Sequence, residues 1–223
     1  MPSKTVRIDE TAAITGITVP DDPTLDIINE ITICMRVRQN LPTLVNAELI
    51  TKGTAVVGFM TQVLFTDNLA AQHIVTFAGT PKILDILGQD QWFHWAVTKE
   101  DVGGNTILRL YINGSIVAVL TEAVWVIDAN AIDVRLINAT VNMDISECEI
   151  YDRALTDTEI DYNFAHPNRP KRQGGQLILT QDTLRGVNAL GANAIPVWVD
   201  ESGNGNDGTI TLDNDILIGN LIA

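Results

Sequence analysis

The chain has 223 residues, 28 of them acidic and 14 basic, for a formal net charge of -14; such a surface would repel phosphate backbones and anionic membranes, which excludes nucleic acid as an expected partner. No run of about 18 uninterrupted apolar residues occurs, so membrane insertion is not expected, and the opening MPSKTVRIDE lacks the basic segment, apolar run and cleavage site of a secretory signal. The length suits one large β domain or two small ones with a real core.

Alternation of period two dominates from residue 31 onward. In ITICMRVR (31–38) the apolar set Ile31, Ile33, Met35 and Val37 alternates with Thr32, Cys34, Arg36 and Arg38, which predicts a half-buried strand with a mainly polar outer face. Strands are also expected in AVVGFMTQVLF (55–65) and AQHIVTFAG (71–79). In WFHWAVTKE (92–100) Phe93, Trp95 and Val97 oppose Trp92, His94, Ala96 and Thr98; both sets are largely apolar, so this strand is predicted to be central. TILRLYINGSIVAVL (106–120) places Asn113-Gly114 between two apolar-rich runs, the signature of a type I′ hairpin with an exposed tip. Strands follow in AIDVRLIN (131–138) and DISECEIYD (144–152).

The single convincing helix lies in RALTDTEIDYNF (153–164), where Thr156 and Glu159 have the spacing of a capping box. AHPNRPKRQGGQ (165–176) reads as a linker, rich in Pro, Gly and basic residues. The strand pattern then resumes in QLILTQDT, AIPVWVDESGNGNDGTITL and DILIGNLIA. Many short strands and one short helix predict an all-β, antiparallel two-sheet sandwich of jelly-roll type. Cys34 and Cys148 sit inside strand-like runs with no second Cys or His at metal-ligand spacing, and read as small buried core residues. The sequons at Asn113 and Asn138 read as a turn residue and a chance match.

Five segments in order resemble the laminin-G-like jelly rolls of the concanavalin A-like lectin and glucanase superfamily. ITVPDDPTLDIINEITICMRV is similar to that family's opening strands, ELITKG to its Ile-Ser-Lys-Gly element, WFHWAVT to its Trp-x-His-Val-Ala-Val-Thr strand, and LRLYINGSIV to its Leu-Tyr-Val-Asn-Gly hairpin. ISECEIYDRALTDTEI is similar to its closing strand and helical turn, and the resemblance covers residues 17–164. The family's usual N-terminal element, a strand followed by an Asp-x-Ser-Gly-Asn-Gly-Asn-x-Gly turn, resembles QLILTQDT and DESGNGNDG, which here come last. The implied organisation is a sandwich over 1–164, a linker over 165–175, and C-terminal strands over 176–223. Those strands complete the same sandwich as a permutation, or a neighbouring subunit's by donation, which would make a homo-oligomer.

These residues bear on three chemistries. Superfamily members that cut β-glucans carry paired carboxylates on one strand; the nearest run here is Glu147, Glu149 and Asp152, with different spacing, so no catalytic residues and no enzyme are expected. The scattered His73, His94 and His166 form no triad pattern, and His94 reads as a packing residue. Hard oxygen donors for calcium are offered by Asp200, Asn204, Asn206 and Asp207 within one Gly-containing loop, and many members of the resembled family hold one calcium at the sandwich rim. The alternative is a plain turn in which Gly203 and Gly205 supply positive φ, and Ser146 stands where the family has a carboxylate. Glycan stacking needs an exposed ring; Trp92, Trp95 and Trp198 fall on strand positions, which leaves Trp125 as the platform candidate. The resulting expectation is a non-enzymatic structural or interaction module on the surface of a larger assembly such as a virion. Its partners are then protein subunits or surface glycans, with a calcium-dependent, lectin-like adhesion module as the alternative.

Overall fold

The computed structural model describes residues 6–8, 16–39, 47–54, 57–65, 71–77, 80–87, 91–123, 127, 129–136, 143–171, 173–180, 182–185 and 197–210. In chain order the strands are β1 (Val6–Ile8), β2 (Ile17–Val19), β3 (Ile31–Gln39), β4 (Ala47–Thr54), β5 (Val57–Phe65), β6 (Ala71–Phe77), β7 (Thr80–Leu87) and β8 (Trp92–Val102). They continue as β9 (Asn105–Ile112), β10 (Ser115–Ala123), β11 (Val134–Leu136), β12 (Met143–Tyr151), β13 (Gly175–Leu179), β14 (Leu184–Arg185), β15 (Val197–Trp198) and β16 (Gly208–Ile210). Helix α1 spans Asp157–Ala165.

Two antiparallel sheets form the sandwich. One has seven strands in the order β1-β12-β3-β8-β9-β10, with β13 also paired to β12; the other has nine in the order β14-β15-β16-β2-β11-β4-β5-β6-β7. Alternation sets what lies between them. From the first sheet Ile33, Met35, Val37, Phe93, Trp95 and Val97 point inward, and from the second Ile17, Val19, Ile50, Val134 and Leu136 meet them in one core. Burying each such side chain contributes roughly 1.5–3 kcal/mol. β8 lies between β3 and β9, central as its two-faced apolarity predicts.

The hairpin between β9 and β10 turns on Asn113 and Gly114, both at positive φ (50° and 80°), as a type I′ turn requires. Its tip is less free than expected. Asn113 stays exposed, but Gly114 is half-buried against α1, where a Cβ would come within 2.9 Å of Asp161 Oδ1 and 3.0 Å of Phe164 Cδ1. Glycine is therefore needed here for conformation and for space.

Helix α1 opens with the capping box read from its sequence: the Thr156 hydroxyl accepts from Glu159 N, and Glu159 Oε2 accepts from Thr156 N at 3.0 Å. Arg153 then grips both Glu159 oxygens at 2.7 and 2.9 Å. With Ile160 and Asn163 buried, α1 lies across the outer face of the first sheet. The segment after it folds back on the helix and sheet. Lys171 N donates to Asn163 Oδ1 and Asn168 N to Glu147 Oε1, while Pro170 is buried.

The C-terminal strands join both sheets. β13 pairs with β12 in the register Cys148↔Leu179, and β16 pairs with β2 in the register Ile210↔Ile17. Leu177, Leu179, Trp198 and Ile210 are part of the main core. The stretch DILIGNLIA lies outside the described residues. Among the described residues no helix is long and apolar enough to cross a membrane.

Candidate functional site

The loop from Asp200 to Asp207 is a hydrogen-bonded turn. Asp200 Oδ1 accepts from Ile178 N at 2.8 Å and Ser202 N at 2.9 Å; its Oδ2 accepts from the Ser202 hydroxyl at 2.6 Å and Asn206 N at 3.0 Å. Asp207 Oδ1 is taken by Asp200 N at 2.8 Å. The amides of Asn204 and Asn206 present their NH2 groups to the carbonyl of Gln176, and Asn206 also donates to the Thr24 hydroxyl at 2.9 Å. Gly203 and Gly205 take the positive φ of the plain-turn reading. Calcium needs oxygens converging on one point, whereas here N–H and O–H donors converge on the Asp200 oxygens. In this arrangement the Asp200 carboxylate serves the turn's own backbone and staples β13 to the turn before β16.

Trp125, the expected glycan platform, lies outside the described residues. Trp95 and Trp198 are core residues, as their strand positions imply. Among the described residues no sequence-predicted aromatic platform stands at the surface.

The ECEIYD run is the chemically richest part of the described chain. Glu147, Glu149 and Tyr151 alternate along the outer face of β12, beside Arg36, Cys34 and Thr32 of β3, and α1 closes over them. Glu147 and Glu149 are 1% and 2% exposed. Glu147 Oε2 accepts from Arg36 Nε at 2.9 Å, and the same guanidinium donates to the Phe164 carbonyl at 2.7 Å. Glu149 Oε2 accepts from Asn163 Nδ2 at 3.1 Å and the Tyr151 hydroxyl at 3.3 Å. Burial, then the neighbouring Glu147, push the Glu149 carboxyl up to about 8, against the pull of those hydrogen bonds. Burial also raises the Glu147 carboxyl, although the Arg36 guanidinium opposes it.

His94 reaches the same layer from β8. It is 1% exposed, burial holds its imidazole down to about 3, so it is neutral, and neither ring nitrogen has a hydrogen-bond partner. Its sulfur and oxygen neighbours are Cys34 and Glu149: one ligand-type atom from each of the three residues lies within 4.8 Å of the others. Both cysteines are buried and free, but they face opposite ways, Cys148 into the main core and Cys34 under α1. His166 instead stacks on Tyr162 at the end of the helix, and the side chain of His73 lies outside the described residues. Local spacing carried no hint of the Cys34–His94–Glu149 cluster, because its members come from three strands; only the shared outward parity of their strands pointed to one face.

Open to solvent, by contrast, is a groove of about 450 Å³ between Glu100, Arg109 and Tyr111 on the sheet and Thr156, Asp157 and Thr158 at the start of α1. Arg109 pairs with Glu100 at 2.7 Å, and the Tyr111 hydroxyl donates to Asp157 at 2.8 Å. A second groove, of about 310 Å³, runs past Thr24, Asp26, Ile28, Glu30 and Gln176, beside the 200–207 turn.

No curated protein matches the chain in sequence. Among solved structures it is similar to a proposed carbohydrate-binding protein from Bacteroides ovatus (16% identity, TM-score 0.66), covering 100% of this chain and 61% of that one. It is also similar to the heptameric SAP-like pentraxin of Limulus polyphemus (15% identity, TM-score 0.55; 73% of this chain, 82% of that one). A third likeness is to the binding domain of botulinum neurotoxin DC in complex with SialylT (15% identity, TM-score 0.50; 66% and 38%). The chain thus spans less than two thirds of the first and third of these proteins, and at such identities the likeness is one of fold. The sequence profile of the laminin G 3 family matches residues 12–161, about two thirds of the chain. With the two-sheet sandwich, the closing strand and its capped helix in place, this chain belongs to the laminin G 3 family of the concanavalin A-like lectin/glucanases superfamily.

Proposed function

We propose that this chain is a non-enzymatic interaction module, displayed on the surface of a larger assembly such as a virion, that engages protein subunits or glycans through its open polar grooves. One observation carries the reading: Glu147 and Glu149, the carboxylates nearest to a glucanase arrangement, are sealed beneath α1 and spent on Arg36, Asn163 and Tyr151. Glycoside hydrolysis needs two carboxyl groups flanking a substrate bond, and no sugar reaches this pair without removal of the helix. The groove at Glu100, Arg109 and Thr156 supports binding instead, since it offers paired donors and acceptors at the surface.

The carbohydrate-binding reading is favoured by one further point. The Bacteroides ovatus structure, proposed to bind carbohydrate, matches this chain over its whole length. A glycan array run with and without chelator separates the two readings. Specific binding would establish the lectin-like role and, if it survives chelation, a calcium-independent one; no binding, with recovery of the chain in purified particles, would support the structural role. Hydrolysis of laminarin that disappears in Glu149→Gln would overturn both.

The C-terminal strands, in this proposal, complete the chain's own sandwich as a displaced N-terminal element. What supports it is the pairing of β13 with β12 and β16 with β2, and the seating of Leu177, Leu179 and Trp198 in the main core. Deleting residues 173–223 should expose that core and cause aggregation. Size-exclusion chromatography of the intact chain distinguishes a monomer from a strand-exchanged multimer.

A further inference from the structure

We propose that Cys34, His94 and Glu149 form a buried structural site for a thiolate-preferring divalent metal, with zinc the best fit. The three residues stand on the three adjacent strands β3, β8 and β12. Glu149 is directly opposite Cys34 in the ladder, and His94 is two residues along from Ala96, the residue opposite Cys34 on its other side. All three side chains point to the face that α1 covers, and their ligand-type atoms lie within 4.8 Å of one another. The ligand atoms of a tetrahedral zinc centre are about 3.4–3.6 Å apart, so side-chain rotation has to close at most about 1.4 Å.

An independent observation points to an occupant. His94 is 1% exposed, yet neither Nδ1 nor Nε2 has a hydrogen-bond partner. A sealed imidazole normally places both nitrogens on partners, and a ring nitrogen facing a thiol and a carboxyl at this range is placed as a ligand is. The donor set also selects its metal. Thiolate and imidazole disfavour calcium and magnesium, which take oxygen ligands, and suit zinc.

Charge closes as well. Glu147 is neutralised by Arg36 at 2.9 Å, so a dication has Glu149 and the Cys34 thiolate to balance it, and His94 adds a neutral ligand. Binding displaces two protons to solvent, one from the Cys34 thiol and one from the buried Glu149 carboxyl, and the carboxylate can ligate through one or both oxygens. α1 seals the layer, with the Phe164 ring 6.1 Å from that of His94. The site is therefore closed to substrate, and its role is to pin three central strands beneath the helix.

The test uses the full chain, refolded in the presence of zinc or cobalt(II) and dialysed to remove loose metal. The expected result is one metal per chain by elemental analysis, a melting temperature above that of protein refolded with chelator, and a near-ultraviolet thiolate-to-cobalt band. Cys34→Ser should lose the band and the bound metal, while Cys148→Ala, altered on the opposite face, should keep both. Should Cys34→Ser fail to fold, retention of the band in Cys148→Ala assigns the thiolate to Cys34, the one other cysteine. The proposal is overturned if folded wild type holds no stoichiometric metal, if Cys34→Ser retains it, or if Cys148→Ala alone abolishes the band.

Discussion

The two faces of the seven-stranded sheet use the same strands in opposite ways. Inward, Ile33, Met35, Trp95, Val97, Cys148 and Ile150 make a dry core that needs only shape and apolar area. Outward, Thr32, Cys34, His94, Glu147 and Glu149 are nearly as sealed, with Arg36 partly exposed beside them, and buried polar groups there need partners, which Glu147 and Glu149 have under α1 and the ring nitrogens of His94 lack. The two cysteines carry the contrast: one residue type, both free and buried, is a small hydrophobe on one face and a neighbour of His94 and Glu149 on the other. Burial alone therefore does not say what a residue does; the face it occupies does.

The inner face should break most severely. Trp95→Ala removes a fully buried ring from the main core and should cost about 3–5 kcal/mol in chemical denaturation. On the outer face, Arg36→Met should cost about 2–3 kcal/mol, because Glu147 is left buried without its cation while Arg36 itself keeps some solvent contact. Adding Glu147→Leu should then recover most of that loss. If the double variant is as unstable as the single one, the pair is not what holds this face together.

At the rim, Asp200→Ala removes an acceptor used by Ile178, Ser202 and Asn206 and should cost about 2 kcal/mol. Thermal melts should show the same loss with calcium and with chelator; a loss confined to calcium-containing buffer would restore the calcium reading of this loop. The smallest effect belongs to the helix cap. The Arg153 guanidinium, helped by Thr156, holds the Glu159 carboxyl down to about 2. A depressed carboxyl contributes stability that is full above its ordinary value near 4.5 and is lost as pH falls through about 2. Glu159→Gln should therefore cost on the order of 1 kcal/mol at neutral pH and nearly nothing near pH 2.

Much of the architecture was legible where a local rule acts alone. Alternation along 31–38 and 92–100 told which residues face inward, Asn113-Gly114 marked the hairpin, and Thr156 with Glu159 marked the helix start. The site was less legible. Glu147 and Glu149 were visible as a pair on one strand face, but a short helix packing over that face changes their chemistry from a question of catalysis to one of internal pairing. The 200–207 loop has a composition that serves a cation or its own backbone equally well, and only the folded turn shows its N–H groups directed at the Asp200 carboxylate.

What the sequence determined by itself is therefore the two-sheet class, the central strand, the turn types and the capped helix, because each is signalled by a pattern among residues a few positions apart. Only the tertiary structure decided that Cys34, His94 and Glu149 meet, that Arg36 belongs to Glu147, and that the tail's Leu179 and Ile210 enter the same core as Ile17. Those juxtapositions depend on which strands become neighbours and in what register, and register is set by the whole buried surface acting together, which no short stretch of chain encodes.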